Sequence, residues 1–146
     1  IGHRETSDSI FPALVQAVER HITEYGVTEF IVGHYGNFDR LAARAVLKAK
    51  EHHPQVTLFL LLPYHPADRP IPAPELRRHF LSTWHGAVPK RAAIVRANRY
   101  MADHCDFLIA YAWHPASNAR ELVDYAQARA QFRWTICGTI PPDQHP

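Results

Sequence analysis

Strands that alternate with helices along the whole chain predict an α/β fold, a Rossmann-like three-layer α/β/α sandwich around a mainly parallel sheet. Two observations carry the prediction. Apolar runs such as "VTLFLLLP" (Val56–Pro63) and "FLIAYAW" (Phe107–Trp113) lack polar alternation, as strands covered on both faces do. Between the runs lie segments whose apolar residues recur at helical spacing. The length of 146 residues suits one domain, 1–146, with one core, and neither an internal repeat nor a low-complexity linker divides it.

The elements follow in order. The chain opens Ile-Gly-His-Arg, without methionine and as if partway through an element, so a truncated first strand is expected. Ser7 or Asp8 can cap a helix to about Tyr25, with Ile10, Leu14, Val18 and Ile22 every four residues and Gly26 as its stop. Pro12 falls in the first turn, where its missing N–H costs little. Thr28–Val32 reads as a buried strand, and a helix from Phe38 to about His52 places Leu41, Ala42, Ala45, Val46 and Ala49 on one face. After the Val56–Pro63 strand, the proline-dense segment "PYHPADRPIPAP" excludes regular helix or central strand. A short helix over Pro74–Trp84 is expected from the alignment of Leu76, Phe80 and Trp84, and residues 63–89 read as a flap or insertion. Pro89 opens a helix to about His104. The Phe107–Trp113 strand, a helix from Ser117 carrying Leu122, Val123, Ala126 and Ala130, and a strand over Phe132–Gly138 complete the chain.

Composition narrows the function classes. Hydrophobic residues make up 47% and charged residues 21%, an ordinary globular balance. No stretch is long and apolar enough for a membrane span and no signal-peptide pattern is present, so a cytoplasmic location without a membrane partner is the default expectation. A net charge of +2 does not point to nucleic acid. The cluster of Lys90, Arg91, Arg96 and Arg99 reads first as a solvated helix face. Cys105 and Cys137 lack the spacing of a zinc or redox motif and read as buried free thiols.

Chemistry concentrates at strand-to-helix turns, because ligands in such folds bind beyond the carboxyl ends of the strands. Gly33, His34, Tyr35, Gly36 and Asn37 occupy one turn. Glycine permits positive φ and close backbone approach, and the unpaired N–H groups of the next helix favour an anion. Phosphate is the natural guest. The spacing is neither G-x-G-x-x-G nor a P-loop, and a tight turn with no ligand is an equally good reading. Asp39 suits either the helix dipole or a ribose hydroxyl. His3, His34, His65 and His114 all follow strands, but with 11 histidines, no His-x3-His and no cysteine pair, neither a metal nor another cofactor is expected. His34 or His114 has the pKa range of a general acid or base. Arg99 and Asp103 stand at i, i+4, a helix ion pair by default, while Trp113 and Tyr64 end strands at the edge where a base can stack.

Taken jointly, "IGHRE", "FIVGHYGNFDRLAARAV", "VTLFLLLPY" and "ANRYMADHCDFLIAYAW" resemble, in order and spacing, the small stand-alone bacterial SLOG proteins. The resemblance covers almost the whole chain. That superfamily is Rossmann-like and includes the Lonely Guy phosphoribohydrolases and the DNA-processing protein A group. The resemblance implies a site from Gly2, His3 and Arg4 in a first loop and Gly33, His34, Gly36, Asn37 and Asp39 in a second. Asn98, Arg99 and Met101 match a helix motif whose usual first arginine is Ala97 here. Ser117 and Asn118 stand where the family has a glycine pair. Arg4 and Arg99 are implied as phosphate ligands.

The resemblance implies binding or sensing of a nucleotide-like small molecule, with phosphate at the Gly33–Asp39 loop. One alternative is hydrolysis of the N-glycosidic bond of nucleoside 5′-monophosphates, with Asp39 or Glu121 as the catalytic carboxylate. The departure at Ser117–Asn118 and the uncertain register of Glu121 weigh against hydrolysis more than against binding. A second alternative is single-stranded DNA binding. Self-association is implied only by analogy with relatives.

Overall fold

The computed structural model describes residues 1–33, 35–64, 80–82, 89–129 and 133–136. Among these residues lie four α-helices and five strands, helix and strand alternating except where the strand Thr57–Leu62 is followed by the strand Phe80–Ser82. Ser7 accepts a hydrogen bond from the Ser9 amide and starts a short 3-10 turn, Asp8–Ile10, that leads into α1, Phe11–Tyr25. Pro12 sits in the first turn of α1, and Gly26 ends it at φ 68, in the left-handed region. β1 (Glu29–Val32), α2 (Asn37–Lys50) and β2 (Thr57–Leu62) follow within a few residues of their expected bounds.

A correction falls in the next segment. Phe80–Ser82, expected within a helix over Pro74–Trp84, form β3, which pairs with β2 in register Leu60↔Phe80, Leu61↔Leu81, Leu62↔Ser82. The spacing of Leu76, Phe80 and Trp84 fits a helix. The three residues Phe-Leu-Ser fit a strand equally well, and backbone pairing along the open edge of β2 decides between them. The rest of 65–88 lies outside the described residues. α3 (Lys90–His104), β4 (Phe107–Ala110), α4 (Asn118–Gln127) and β5 (Arg133–Ile136) complete the order. β4 is shorter than its sequence run, because Tyr111 pairs only through a single bridge to Gly2.

Every described strand pairing is parallel. The strands stand as β1-β2-β3 and β4-β5. Side chains from successive residues go to opposite helix layers. Phe30 packs with Leu14, Val18 and Ile22 of α1 and Leu41, Ala45 and Val46 of α2, whereas Ile31 reaches the cluster of Leu61, Ala97 and Met101. Leu108 and Ala110 meet Ala102 of α3 and Leu122 and Val123 of α4. Helices α1 and α2 therefore cover one face and α3 and α4 the other, the expected Rossmann-like arrangement. Each buried Leu, Ile or Val contributes about 1.5–3 kcal/mol through burial, which accounts for the apolar stripes read from the sequence.

Candidate functional site

Parallel strands deliver their carboxyl ends to one edge, so the turns after Gly2, β1, β2 and β4 gather there. The residues ahead of α1 wrap against the start of α2. Asn37 ties them down: its side-chain amide donates to the Thr6 carbonyl at 2.6 Å and to Asp8 at 2.7 Å, and its oxygen accepts from Arg40 at 2.8 Å. The Asn37 backbone N–H donates to the Arg4 carbonyl at 2.8 Å. A peptide carbonyl thus closes one amide of the α2 amino terminus, whose N-cap residue, Gly36, makes no side-chain capping bond.

Glycine serves close approach at this turn. Gly36 is extended, at φ −133 and ψ 166, and Gly26 is the one glycine with positive φ among the described residues. Of the two freedoms that glycine permits, the described part of the Gly33–Gly36 turn uses close approach and not positive φ. A Cβ on Gly36 would lie 2.9 Å from the Arg4 Cα, and one on Gly2 would lie 2.3 Å from the Phe38 ring. The Gly36 and Arg4 backbones pass at contact because Gly36 bears no side chain, and the Phe38 ring lies against the Gly2 backbone for the same reason.

The result is a cleft of about 460 Å³. Gly2, His3 and Arg4 line it on one side, Gly33, Gly36 and Asp39 on a second, and Ser117 and Asn118 on a third. Ala97, Asn98 and Met101 of α3 form its floor with Leu61. Most of the candidate ligand residues are therefore together. Asn37 is turned to the Thr6–Asp8 segment, and His34 and His65 lie outside the described residues. Arg99 and Glu121 are exposed and do not line the cleft. The Arg99 guanidinium lies 5.5 Å from the Tyr125 ring centre. Asp103, its expected i, i+4 partner, accepts instead from the Tyr125 hydroxyl at 2.9 Å and from Arg129.

Asn98 and Tyr35 line the cleft without having been singled out as ligand residues. The signal for Asn98 was available: with Ile94 and Met101 it follows the i, i+4, i+7 stripe of α3 that faces inward. Tyr35 meets Tyr64 edge to face with ring centres 5.5 Å apart, so the Tyr64 side reaches the cleft through it. Trp113 packs on the core and on His3, at 5.0 Å between ring centres.

Charge in the cleft is sparse. Among the described lining residues, Asp39 supplies the only carboxylate and Arg4 the only guanidinium. The Asp39 carboxylate accepts the Tyr35 N–H at 3.2 Å. His3 Nε2 accepts the His114 backbone N–H at 3.2 Å, which requires an unprotonated Nε2. Partial burial, and secondarily the neighbouring His114, hold the His3 pKa below its usual value. The Ser117 hydroxyl donates to the His114 carbonyl at 2.8 Å and accepts the Arg120 N–H at 3.1 Å, capping α4 beside the cleft. Among the described residues, no group of three or more His, Cys, Asp or Glu side chains could hold a metal ion, and no helix is long and apolar enough to cross a membrane.

No protein-family model and no curated protein matches the sequence.

Proposed function

We propose that the cleft binds a nucleotide or nucleotide derivative, with the chain acting as a cytoplasmic SLOG-type binding or sensing domain. The observation behind this reading is the convergence of three loops, distant in sequence, on one cleft of about 460 Å³ at the carboxyl edge of parallel strands. That volume falls within the usual range of about 300–1,000 Å³ for small-molecule sites. The Gly33–Asp39 turn forms the phosphate side of the cleft. Two of its amides, on Tyr35 and Asn37, already have acceptors, so Arg4 and the first turn of α4 at Ser117–Asn118 carry the remaining attraction for an anion. Asp39, an acceptor at neutral pH, suits the hydroxyls of a sugar.

Mass spectrometry of small molecules co-purifying with the protein identifies the guest. Calorimetric titration with that guest then compares the wild type with Arg4→Gln and Asp39→Asn. The reading expects at least tenfold weaker binding for each, and unchanged affinity in both variants refutes it.

Hydrolysis of an N-glycosidic bond is the second reading, favoured by the position of Asp39 in the cleft. Water would add across the bond, releasing free base and ribose 5-phosphate. Base release from nucleoside 5′-monophosphates that Asp39→Asn abolishes supports this reading. Binding without release excludes it for the nucleotides tested.

A further inference from the structure

One polar side chain interrupts the floor of the cleft. The inward stripe of α3 runs Ile94, Asn98, Met101, with Ala97 beside it and Leu61 and Pro63 arriving from the end of β2. Leu61, Ala97 and Met101 are buried and packed together. Asn98 is half-buried, and among the described residues its side-chain amide has no hydrogen-bond partner. The other two asparagines differ. Asn37 spends its amide on Thr6, Asp8 and Arg40, and Asn118 is exposed. Asparagine is a poor helix former, and an apolar residue would complete the stripe, so neither the helix nor its packing accounts for Asn98.

The amide offers a donor and an acceptor side by side. A guest that covers the floor strips water from it, and an amide then left unpaired counts against binding. The three parts of a nucleotide meet this surface differently. A phosphate set against Leu61, Ala97 and Met101 would lose its water with no cation in exchange. A sugar carries hydroxyls on both faces and would leave some of them against apolar side chains. A nucleobase alone combines apolar faces with an edge on which donors stand beside acceptors. Most small-molecule sites have the same make-up, an apolar lining with a few placed polar groups that set orientation.

We propose, on the basis of the nucleotide reading of this cleft, that Asn98 is the residue that reads the base. The base lies over the α3 floor with its hydrogen-bonding edge on the Asn98 amide and its faces against the apolar lining. Its phosphate points away from the floor, toward Arg4. Asn98 thereby separates guests that carry a base from sugar phosphates that do not, because only a base satisfies the amide once water has left.

Calorimetric titration of the full chain with ribose 5-phosphate and with the 5′-monophosphates of adenosine, guanosine, cytidine and uridine tests the assignment. At least one nucleotide is expected to bind about tenfold or more tightly than ribose 5-phosphate. Asn98→Leu is expected to remove that margin and to leave the affinity for ribose 5-phosphate unchanged. Asn98→Asp, close in shape but unable to donate, is expected to reorder the four nucleotides, whereas Arg4→Gln weakens all the probes alike. One readout needs no variant: in NMR spectra of the wild type, the Asn98 side-chain amide protons are expected to shift with the preferred nucleotide and not with ribose 5-phosphate. Equal binding of nucleotides and ribose 5-phosphate, a margin that survives Asn98→Leu, an unchanged order in Asn98→Asp, or amide protons that stay in place while a nucleotide binds each overturns the role of Asn98. Those outcomes leave the nucleotide reading to its own test with Arg4→Gln and Asp39→Asn. Binding of none of the probes overturns both.

Discussion

Replacing Gly36 by alanine tests the crossing of the amino-terminal segment over α2. The new Cβ would stand 2.9 Å from the Arg4 Cα and 3.6 Å from the Arg4 Cβ and backbone nitrogen. Carbon atoms settle at about 3.5–4.0 Å, so the Arg4 backbone must retreat by roughly half an ångström to one ångström. That movement lengthens the 2.8 Å bond from the Asn37 N–H to the Arg4 carbonyl, a loss of about 1 kcal/mol. Overpacking adds about 1–3 kcal/mol. The lower entropy of the unfolded alanine chain offsets about 0.4–1 kcal/mol. A net destabilisation of about 1–3 kcal/mol follows, which lowers Tm by roughly 3–10 °C in a chain of this length. Far-UV circular dichroism during thermal and urea unfolding measures it. Gly26→Ala is the control: its cost comes from the backbone alone, at φ 68 with no atom within 4 Å of the added carbon. A Gly36→Ala protein that melts at or above the wild-type temperature refutes the crowding argument.

Three further outcomes are expected. The His3 ring, with its pKa held down by burial and then by His114, should titrate by NMR below an unperturbed histidine. The fold favours the neutral ring, so the His3 contribution to stability is complete above its usual value near 6.5 and falls as pH drops below it; a midpoint above 6.5 contradicts this. Ser117→Ala removes the cap at the Arg120 N–H and should cost about 1 kcal/mol in urea unfolding, whereas Ser117→Asp should retain most of the stability. Burial, with Asp106 adding to it, pushes the Cys105 thiol up to about 11. In a Cys137→Ser background at pH 8, iodoacetamide should therefore modify Cys105 on the order of 100-fold more slowly than an unfolded cysteine; a rate equal to that of the urea-unfolded protein would exclude the shift.

Element type and order were legible wherever one period dominated the sequence. Leu14, Val18 and Ile22 could only line a helix stripe, and the run Thr57–Leu62 has no polar face for a solvent-exposed strand. Phe80–Ser82 were not legible as a strand, because three residues carry no period and the partner that decides them is β2. The site was legible as a set of loops, since parallel topology brings strand ends together whatever their sequence. What each residue does there was not. Asn37 looks like a ligand residue in the turn, yet its amide is drawn to Thr6 and Asp8, more than twenty residues away in sequence. Arg99 shares its helix with Asn98, yet one step of about 100° takes it from the cleft side to the exposed side. Gly36 announced a special backbone position, and only the passage of Arg4 shows that the requirement is for space.

The bond from the Asn37 N–H to the Arg4 carbonyl makes one amide a spectroscopic gauge. It is the link by which the chain ahead of α1 closes the first turn of a helix that begins more than thirty residues later. Transfer into heavy water would expose that proton only when the amino-terminal arm lifts, independently of fraying at the far end of α2. Its signal, followed during titration with candidate guests, separates a molecule that clamps the arm in place from one that enters the cleft by prising it away.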